Sequence, residues 1–355
     1  MRLGKGSRPS KIAKDGAPLY SPLSMSELYP LLMAPLFDPR PWGAHDLAPI
    51  YPQQFQEKIG ESWLTGDHCK VQNGALAGKS LADLASQYKR ELVGQAPADE
   101  SRFPLLAKFL FPHEKLSVQV HPDDNDARAI GQPWGKTECW YVAHAQSGAE
   151  IGLGLKPGTT RAQFETAIHE NRAEEMLNWI KVFAGDMIYV AGGTVHTLGP
   201  GSIIVETQQQ SDTTFRLYDY GRPRELHLKD GLRVIKEKVG SGKVRPRPFA
   251  GLDRNGNHPH PLVASTYFVV QRFDLEEGKV SEFSARDHSS VQIVVAIEGA
   301  GVLQAPDCDP VRFAKGDAVV VPAAVPQFRI QPQPRMHFLR SFVPGVSVPE
   351  PEIVL

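Results

Sequence analysis

The run Ser117-Val118-Gln119-Val120-His121-Pro122 sets three polar side chains at every second residue. If the segment is extended, Ser117, Gln119 and His121 share one face, and Val118 and Val120 share the other. Burying three such groups unsatisfied would cost roughly 1 to 3 kcal/mol each, so a ligand, a metal or a hydrogen-bond network must meet them. The same alternation in Lys136-Thr137-Glu138-Cys139 pairs Lys136 with Glu138 and turns Cys139 away. A further polar position, His196, follows Gly192-Gly193-Thr194-Val195. Two imidazoles and a carboxylate, His121, His196 and Glu138 with Gln119 assisting, form a nitrogen and oxygen donor set that suits Zn²⁺ with a position left open for water or substrate. In Ser211-Asp212-Thr213-Thr214-Phe215-Arg216, an extended backbone brings Asp212, Thr214 and Arg216 to one face. An inward guanidinium there needs an anion: a carboxylate, a phosphate or negative charge developing on a sugar oxygen. Each group alone has an ordinary alternative, such as a satisfied strand histidine, a solvated glutamate or an internal Asp212–Arg216 ion pair. Their concentration at strand ends within one stretch of chain argues for a site.

The elements that must hold these residues read mainly as strands. Runs of five to eight alternating or β-branched residues, bounded by Gly, Pro and Asp, occur at 116–121, 137–143, 186–190, 202–206 and 212–218. Helical spacing is confined to 80–93, where Leu81, Leu84, Ala85 and Tyr88 recur, and to about 160–179. Such a pattern predicts a mainly antiparallel β protein, sandwich or barrel.

The chain also repeats itself. Cys139-Trp140-Tyr141-Val142-Ala143 aligns with Gln292-Ile293-Val294-Val295-Ala296, and Gly185-Asp186 before one apolar strand corresponds to Gly316-Asp317 before another. Eleven residues beyond Gly185 stands His196, whereas eleven beyond Gly316 stands Gln327. On this alignment Val291 takes the place of Glu138, and Ser289 that of Lys136. The second copy is therefore expected to lack the constellation, with His288 and His337 as ordinary surface histidines.

Composition bounds the rest. The 355 residues are 41% hydrophobic and 22% charged, with a formal net charge of −1, which is ordinary globular usage with material for a large core. No basic block tracks a nucleic-acid backbone, and no run of 18 apolar residues suits a membrane. Residues 1–24 lack the apolar centre of a secretory signal, so a cytoplasmic location is expected. Cys69, Cys139 and Cys308 are odd in number and far apart, which suits free thiols. Three segments are expected: a tail at 1–30, a unit carrying the chemistry at 31–250 and a second unit without metal ligands at 251–355.

In order along the chain, Gln119-Val120-His121-Pro122, Lys136-x-Glu138, Gly193-Thr194-Val195-His196 through Gly199, and Ser211-Asp212 through Arg216 resemble the mannose-6-phosphate isomerases. Pro41-Trp42-Gly43 and Ile59-Gly60-Glu61-Ser62-Trp63 resemble that family's opening segments, and the short interval from Glu138 to His196 resembles its compact bacterial branch. Ala44 departs from the family's usual second glycine, and Leu217 to Arg222 is characteristic of the compact branch only.

The resemblance implies a double cupin, two jelly-roll-like β-barrels with a few short helices. It also implies one Zn²⁺ per chain at Gln119, His121, Glu138 and His196, an essential Arg216, and Lys136 and Asp212 in substrate binding or proton transfer. Ser117 would lie near the sugar phosphate, and Lys136 or Arg216 could meet that phosphate. Trp42 would line the sugar pocket or, the favoured reading, anchor the core. The implied partner is a small phosphorylated sugar, with the chain a monomer or homodimer. The implied reaction interconverts mannose 6-phosphate and fructose 6-phosphate through an enediol. The rival readings are a phosphosugar-binding regulatory cupin without turnover and another cupin metalloenzyme.

Overall fold

The computed structural model describes residues 27–238, 240–245, 259–284 and 289–354; most of the expected 1–30 tail, and His288, lie outside them. Strands dominate, arranged in three sheets of nine, eight and five strands. The chemistry-bearing segments lie on the two smaller ones. The eight-stranded sheet has at its centre Leu105–Leu110, Ser202–Gln209, Glu138–Ala145 and Met187–Val190, and the five-stranded sheet contains Phe215–Tyr218, Val118–Val120 and His196–Leu198. Among the described residues none of the sheets closes on itself, so the unit is a pair of facing sheets rather than a sealed barrel.

Packing explains why these strands carry near-continuous apolar runs. Trp140, Val142, Ile188, Val190 and Ile204 point from the eight-stranded sheet toward Ile151, Leu153 and Leu198 of the five-stranded sheet. Cys139, Tyr141, Tyr189 and Val205 point the other way, into a larger core shared with Val270, Ile293, Val320 and Leu339 of the nine-stranded sheet. Because the central strands are buried on both faces, Leu105–Leu110 is buried at all six residues, and the single charge in it, Lys108, must be accommodated between the sheets.

The described sheets cross between the two halves of the chain. Leu31–Ala34 pairs with Ala318–Val321, joining the nine-stranded sheet with Lys70–Val71, and Ile353–Val354 pairs with Gly242–Val244 at the edge of the eight-stranded sheet.

Two helical expectations are shortened. The 80–93 segment forms Leu81–Tyr88, capped by Ser80 and Asp83, but Lys89 at φ 44 turns the chain before the short helix Arg90–Val93. The 160–179 segment forms Arg161–His169; Asn171 at φ 57 ends it, a 3₁₀ turn follows, and Leu177–Lys181 is a strand. No helix among the described residues is long and apolar enough to cross a membrane.

Strand register also shifts the repeat by one residue. Val190 faces Glu138, and Val321 faces Gln292. Gln292, rather than Val291, therefore occupies the place of Glu138. By the same register, Lys108 opposite Glu206 corresponds to Gln271 opposite Arg340. Arg340 is buried and donates to both Gln292 and Gln271. The second unit thus keeps a polar cluster at the equivalent place but without carboxylate or imidazole, and its two amide oxygens accept from Arg340.

Candidate active site

Four side chains expected at the site converge through strand pairing. His196 and Arg216 both lie opposite Gln119 across its two neighbouring strands, and His121 follows directly on the end of the Gln119 strand at Val120. Val118 and Val120 pack outward, so the anticipated alternation is realised. Glu138 enters from the facing sheet, with Cys139 turned into the opposite core.

His121 Nε2 lies 3.5 Å from Glu138 Oε2, and His196 Nε2 lies 3.4 Å from Glu138 Oε1. One donor atom from each of the three residues falls within 4.8 Å of the others, and all three are buried. The tautomers follow from the backbone: His121 Nδ1 donates to the Thr213 carbonyl at 3.1 Å, and His196 Nδ1 donates to that of Thr194 at 2.9 Å. Both Nε2 lone pairs then point inward. Burial is the largest influence holding both rings neutral: it drives His121 well below its ordinary value and His196 down to about 4, and the Lys136 charge adds to the effect.

Two imidazole lone pairs and a carboxyl group therefore face one another, with Lys136 Nζ 3.3 Å from His121 Nε2. Both oxygens of Glu138 are buried without a hydrogen bond. Burial, then the charge of Glu206, pushes its carboxyl above the ordinary range, and Lys136 Nζ at 3.5 Å acts in the opposite direction. A divalent cation among these atoms would satisfy both the orphaned oxygens and the lone pairs, so the residues fit a metal. The backbone carbonyls on the two Nδ1 atoms are the outer partners that such ligands use. Gln119 Nε2 donates to His196 Nε2 at 3.2 Å, and a half-turn of that amide would present its oxygen instead.

Beside this group opens a cavity of about 250 Å³, lined among others by Trp42, Ser117, Lys136, Asp212 and Arg216. All the residues expected to bind substrate or act in catalysis therefore border one space, and the Asp212–Arg216 ion pair does not form among the described contacts. Trp42 is buried in the inter-sheet core and borders the cavity at its edge. Asp212 and Thr214 reach the cavity from irregular backbone, since the strand begins only at Phe215.

Five further charged residues line the cavity: Arg40, Glu61, Lys108, Glu206 and Arg224. Lys108 Nζ lies 3.3 Å from Glu61 and 3.1 Å from Glu206. Trp63 Nε1 and Arg40 Nε also donate to Glu61, and Trp140 Nε1 donates to Glu206 at 2.9 Å. The two flanking carboxylates outweigh burial and hold the Lys108 ammonium above its ordinary value. The one signal for Lys108 in the sequence is its isolation within Leu105–Leu110, and Glu206 stands likewise alone in Ser202–Gln209; neither identifies the partner.

Burial tends to raise Glu61, but Lys108 and Arg40 bring it down to about 2 from an ordinary 4.5. A depressed carboxyl contributes stability that is present above the unfolded value and is lost as pH falls through the folded one. Wild type should therefore exceed Glu61→Gln in denaturant stability at pH 7, with the gap closing between about pH 5 and pH 2. A gap that did not change with pH would contradict this assignment.

The description "Phosphomannose isomerase type I, catalytic domain" matches residues 44–165. The mannose-6-phosphate isomerase ManA of Bacillus subtilis is 35% identical over 322 residues, covering 85% of this chain and 96% of that protein. The chain belongs to the type I phosphomannose isomerase family. Another relative, the mannose-6-phosphate isomerase of Streptococcus mutans, is 33% identical over 83% of this chain and 93% of its own length. The crystal structure of the Bacillus subtilis mannose 6-phosphate isomerase superposes with a TM-score of 0.77 at 32% identity, covering 88% of this chain and 99% of that one. A zinc-bound mannose 6-phosphate isomerase shares the fold, with a TM-score of 0.71 at 14% identity over 89% of this chain and 99% of its own. The phosphomannose isomerase motifs at 119–122, 136–138, 193–199 and 211–216 are thus the segments that build the His-Glu-His group and the wall of its cavity.

Proposed function

We propose that the chain is a zinc-dependent aldose–ketose isomerase interconverting mannose 6-phosphate and fructose 6-phosphate. The observation that carries this reading is the buried His121–Glu138–His196 group, its two imidazoles neutral, beside a cavity that is both small and cationic. Five basic and three acidic side chains line the cavity, a balance that suits a phosphorylated sugar. One Zn²⁺ per chain would be held by His121, Glu138 and His196, with Gln119 after rotation of its amide. Bound there, the ion supplies Lewis-acid polarisation of the C1 and C2 oxygens of the open-chain sugar.

The chain's own residues supply the rest. The Arg216 guanidinium stabilises negative charge that develops on the sugar oxygen as a proton leaves carbon. Lys108, held protonated by Glu61 and Glu206, adds a fixed positive charge and cannot serve as base. Lys136 Nζ and Asp212 Oδ are the side-chain atoms that can carry the proton between C2 and C1. Trp42, Trp140 and Leu198 exclude water from that side of the cavity. In this reading residues 31–250 form the catalytic unit, and 251–355 a second unit that carries no metal ligands.

Conversion of mannose 6-phosphate should be measured on the protein as isolated, after chelation and after zinc is restored. Activity lost and then recovered, with one zinc per chain, is the expected result. Zinc bound without turnover under any condition would replace the isomerase by a sugar-binding protein.

A further inference from the structure

The segment Leu217 to Arg222, which marks the compact branch, has a structural purpose beyond carrying the chain away from Arg216. Asp219 is buried, at 3% exposure, and its carboxylate collects two arginines. Arg224 donates from Nε to Oδ2 and from Nη2 to Oδ1, both at 2.7 Å, and Arg222 Nη1 donates to Oδ1 at 3.1 Å. The two arginines then diverge. Arg222 turns to the Lys115 carbonyl and toward Glu114 and does not line the cavity, whereas Arg224 does.

Arg224 faces the cavity with spare donors. The fork on Asp219 uses Nε and Nη2, and Nη1 has no partner among the described residues. Next to it, Arg216 donates Nη1 to the Glu225 carbonyl at 2.8 Å, and its buried Nε is unpartnered. Arg216 has no carboxylate partner among the described residues. Burial, and next the positive charge of Arg224, lower its pKa. Both guanidinium groups line the cavity, that of Arg224 fixed by a buried carboxylate, and its remaining Nη edge matches a phosphoryl oxygen.

We infer that Arg224 is a specificity-determining residue that receives the phosphoryl group of the sugar, and that Asp219 is the positioning residue that aims it. Asp219 fixes the rotamer of Arg224 before substrate arrives, so little side-chain entropy is lost on binding. The Ser117 hydroxyl borders the same space. This inference rests on the phosphosugar isomerase reading.

Its test compares wild type with Arg224→Gln, Arg224→Lys, Asp219→Asn and Arg222→Gln. For each, KM and kcat for mannose 6-phosphate are measured, as well as the inhibition constant of inorganic phosphate. Arg224→Gln should raise KM and the phosphate constant together by about 10- to 100-fold, with a smaller change in kcat. Arg224→Lys should not restore them, because an ammonium lacks the fork. Asp219→Asn should raise both by about 3- to 10-fold, and Arg222→Gln, which removes the other partner of Asp219, should leave both near wild type. A fall in kcat with KM and the phosphate constant unmoved would overturn the inference, as would equal effects of Arg222→Gln and Arg224→Gln. If wild type itself does not turn over, the isomerase reading fails independently. Calorimetric titration of inorganic phosphate into wild type and Arg224→Gln then decides the anion site alone, and equal affinity would overturn it.

Discussion

Glu138→Gln should abolish zinc-dependent activity together with the stabilisation that zinc confers on the fold. The two effects have one origin. Both oxygens of Glu138 are buried without hydrogen bonds, opposite two imidazole lone pairs. Losing an outer partner of a metal ligand weakens binding by about 10- to 100-fold, so losing the anionic ligand itself should exceed that. The new amide is of equal size but leaves the buried Lys136 ammonium, 3.5 Å from the Glu138 carboxylate, without that counter-charge, so the metal-free variant should be no more stable than wild type. In wild type, metal at a thousand times its dissociation constant should add about 4 kcal/mol of stability. In the variant that increment should vanish. Thermal melts with and without zinc, beside an isomerase assay, check both halves. A variant that kept the zinc-induced rise in melting temperature would remove Glu138 from the ligand set.

Much of this site was legible in the sequence because strand alternation is strict. Once 117–121 and 136–139 are extended, the inward faces of Ser117, Gln119, His121, Lys136 and Glu138 follow from period two alone, and so does the outward Cys139. The residues that local pattern left out owe their place to pairing. Lys108 is opposite Glu206 only because Leu105–Leu110 lies antiparallel to Ser202–Gln209, and nothing within either segment specifies that register. Arg40 and Glu61 meet through a third strand pair. Asp212 and Thr214 reached the cavity by a different route than predicted, from irregular backbone before Phe215.

The one-residue offset in the repeat has the same cause. Similarity of composition aligned Cys139 with Gln292, but the side that faces the partner sheet is set by hydrogen-bond register, and a slip of one exchanges the two faces. Corrected, the comparison is sharper than it was on sequence alone. Gln292, Arg340 and Gln271 replace Glu138, Glu206 and Lys108 as a set. A buried polar cluster at this place in the sheet thus persists with no histidine or carboxylate among its described members, so part of the network around Lys108 is architectural rather than catalytic.

That division can be measured at Lys108. Its ammonium stands between Glu61 and Glu206 with almost no exposure, so Lys108→Met leaves two carboxylates facing each other without their common counter-charge. Breaking a buried pair by removing one partner typically destabilises by about 3 to 5 kcal/mol, because the charge left behind is uncompensated. Glu61 retains Arg40 and Trp63, whereas Glu206 retains only Trp140 among the described hydrogen bonds. Adding Glu206→Gln to Lys108→Met should therefore recover a large part of the lost stability, on the order of 2 kcal/mol, in denaturant unfolding. Activity should not return with it. If Lys108 contributes a fixed positive charge beside the reacting sugar, kcat for mannose 6-phosphate should stay at least about 100-fold below wild type in the double variant even though it is folded. Recovery of both stability and turnover would make Lys108 a purely structural counter-ion to Glu206, and the charge stabilisation of the enediolate would then fall to Arg216 alone among the cavity's cations.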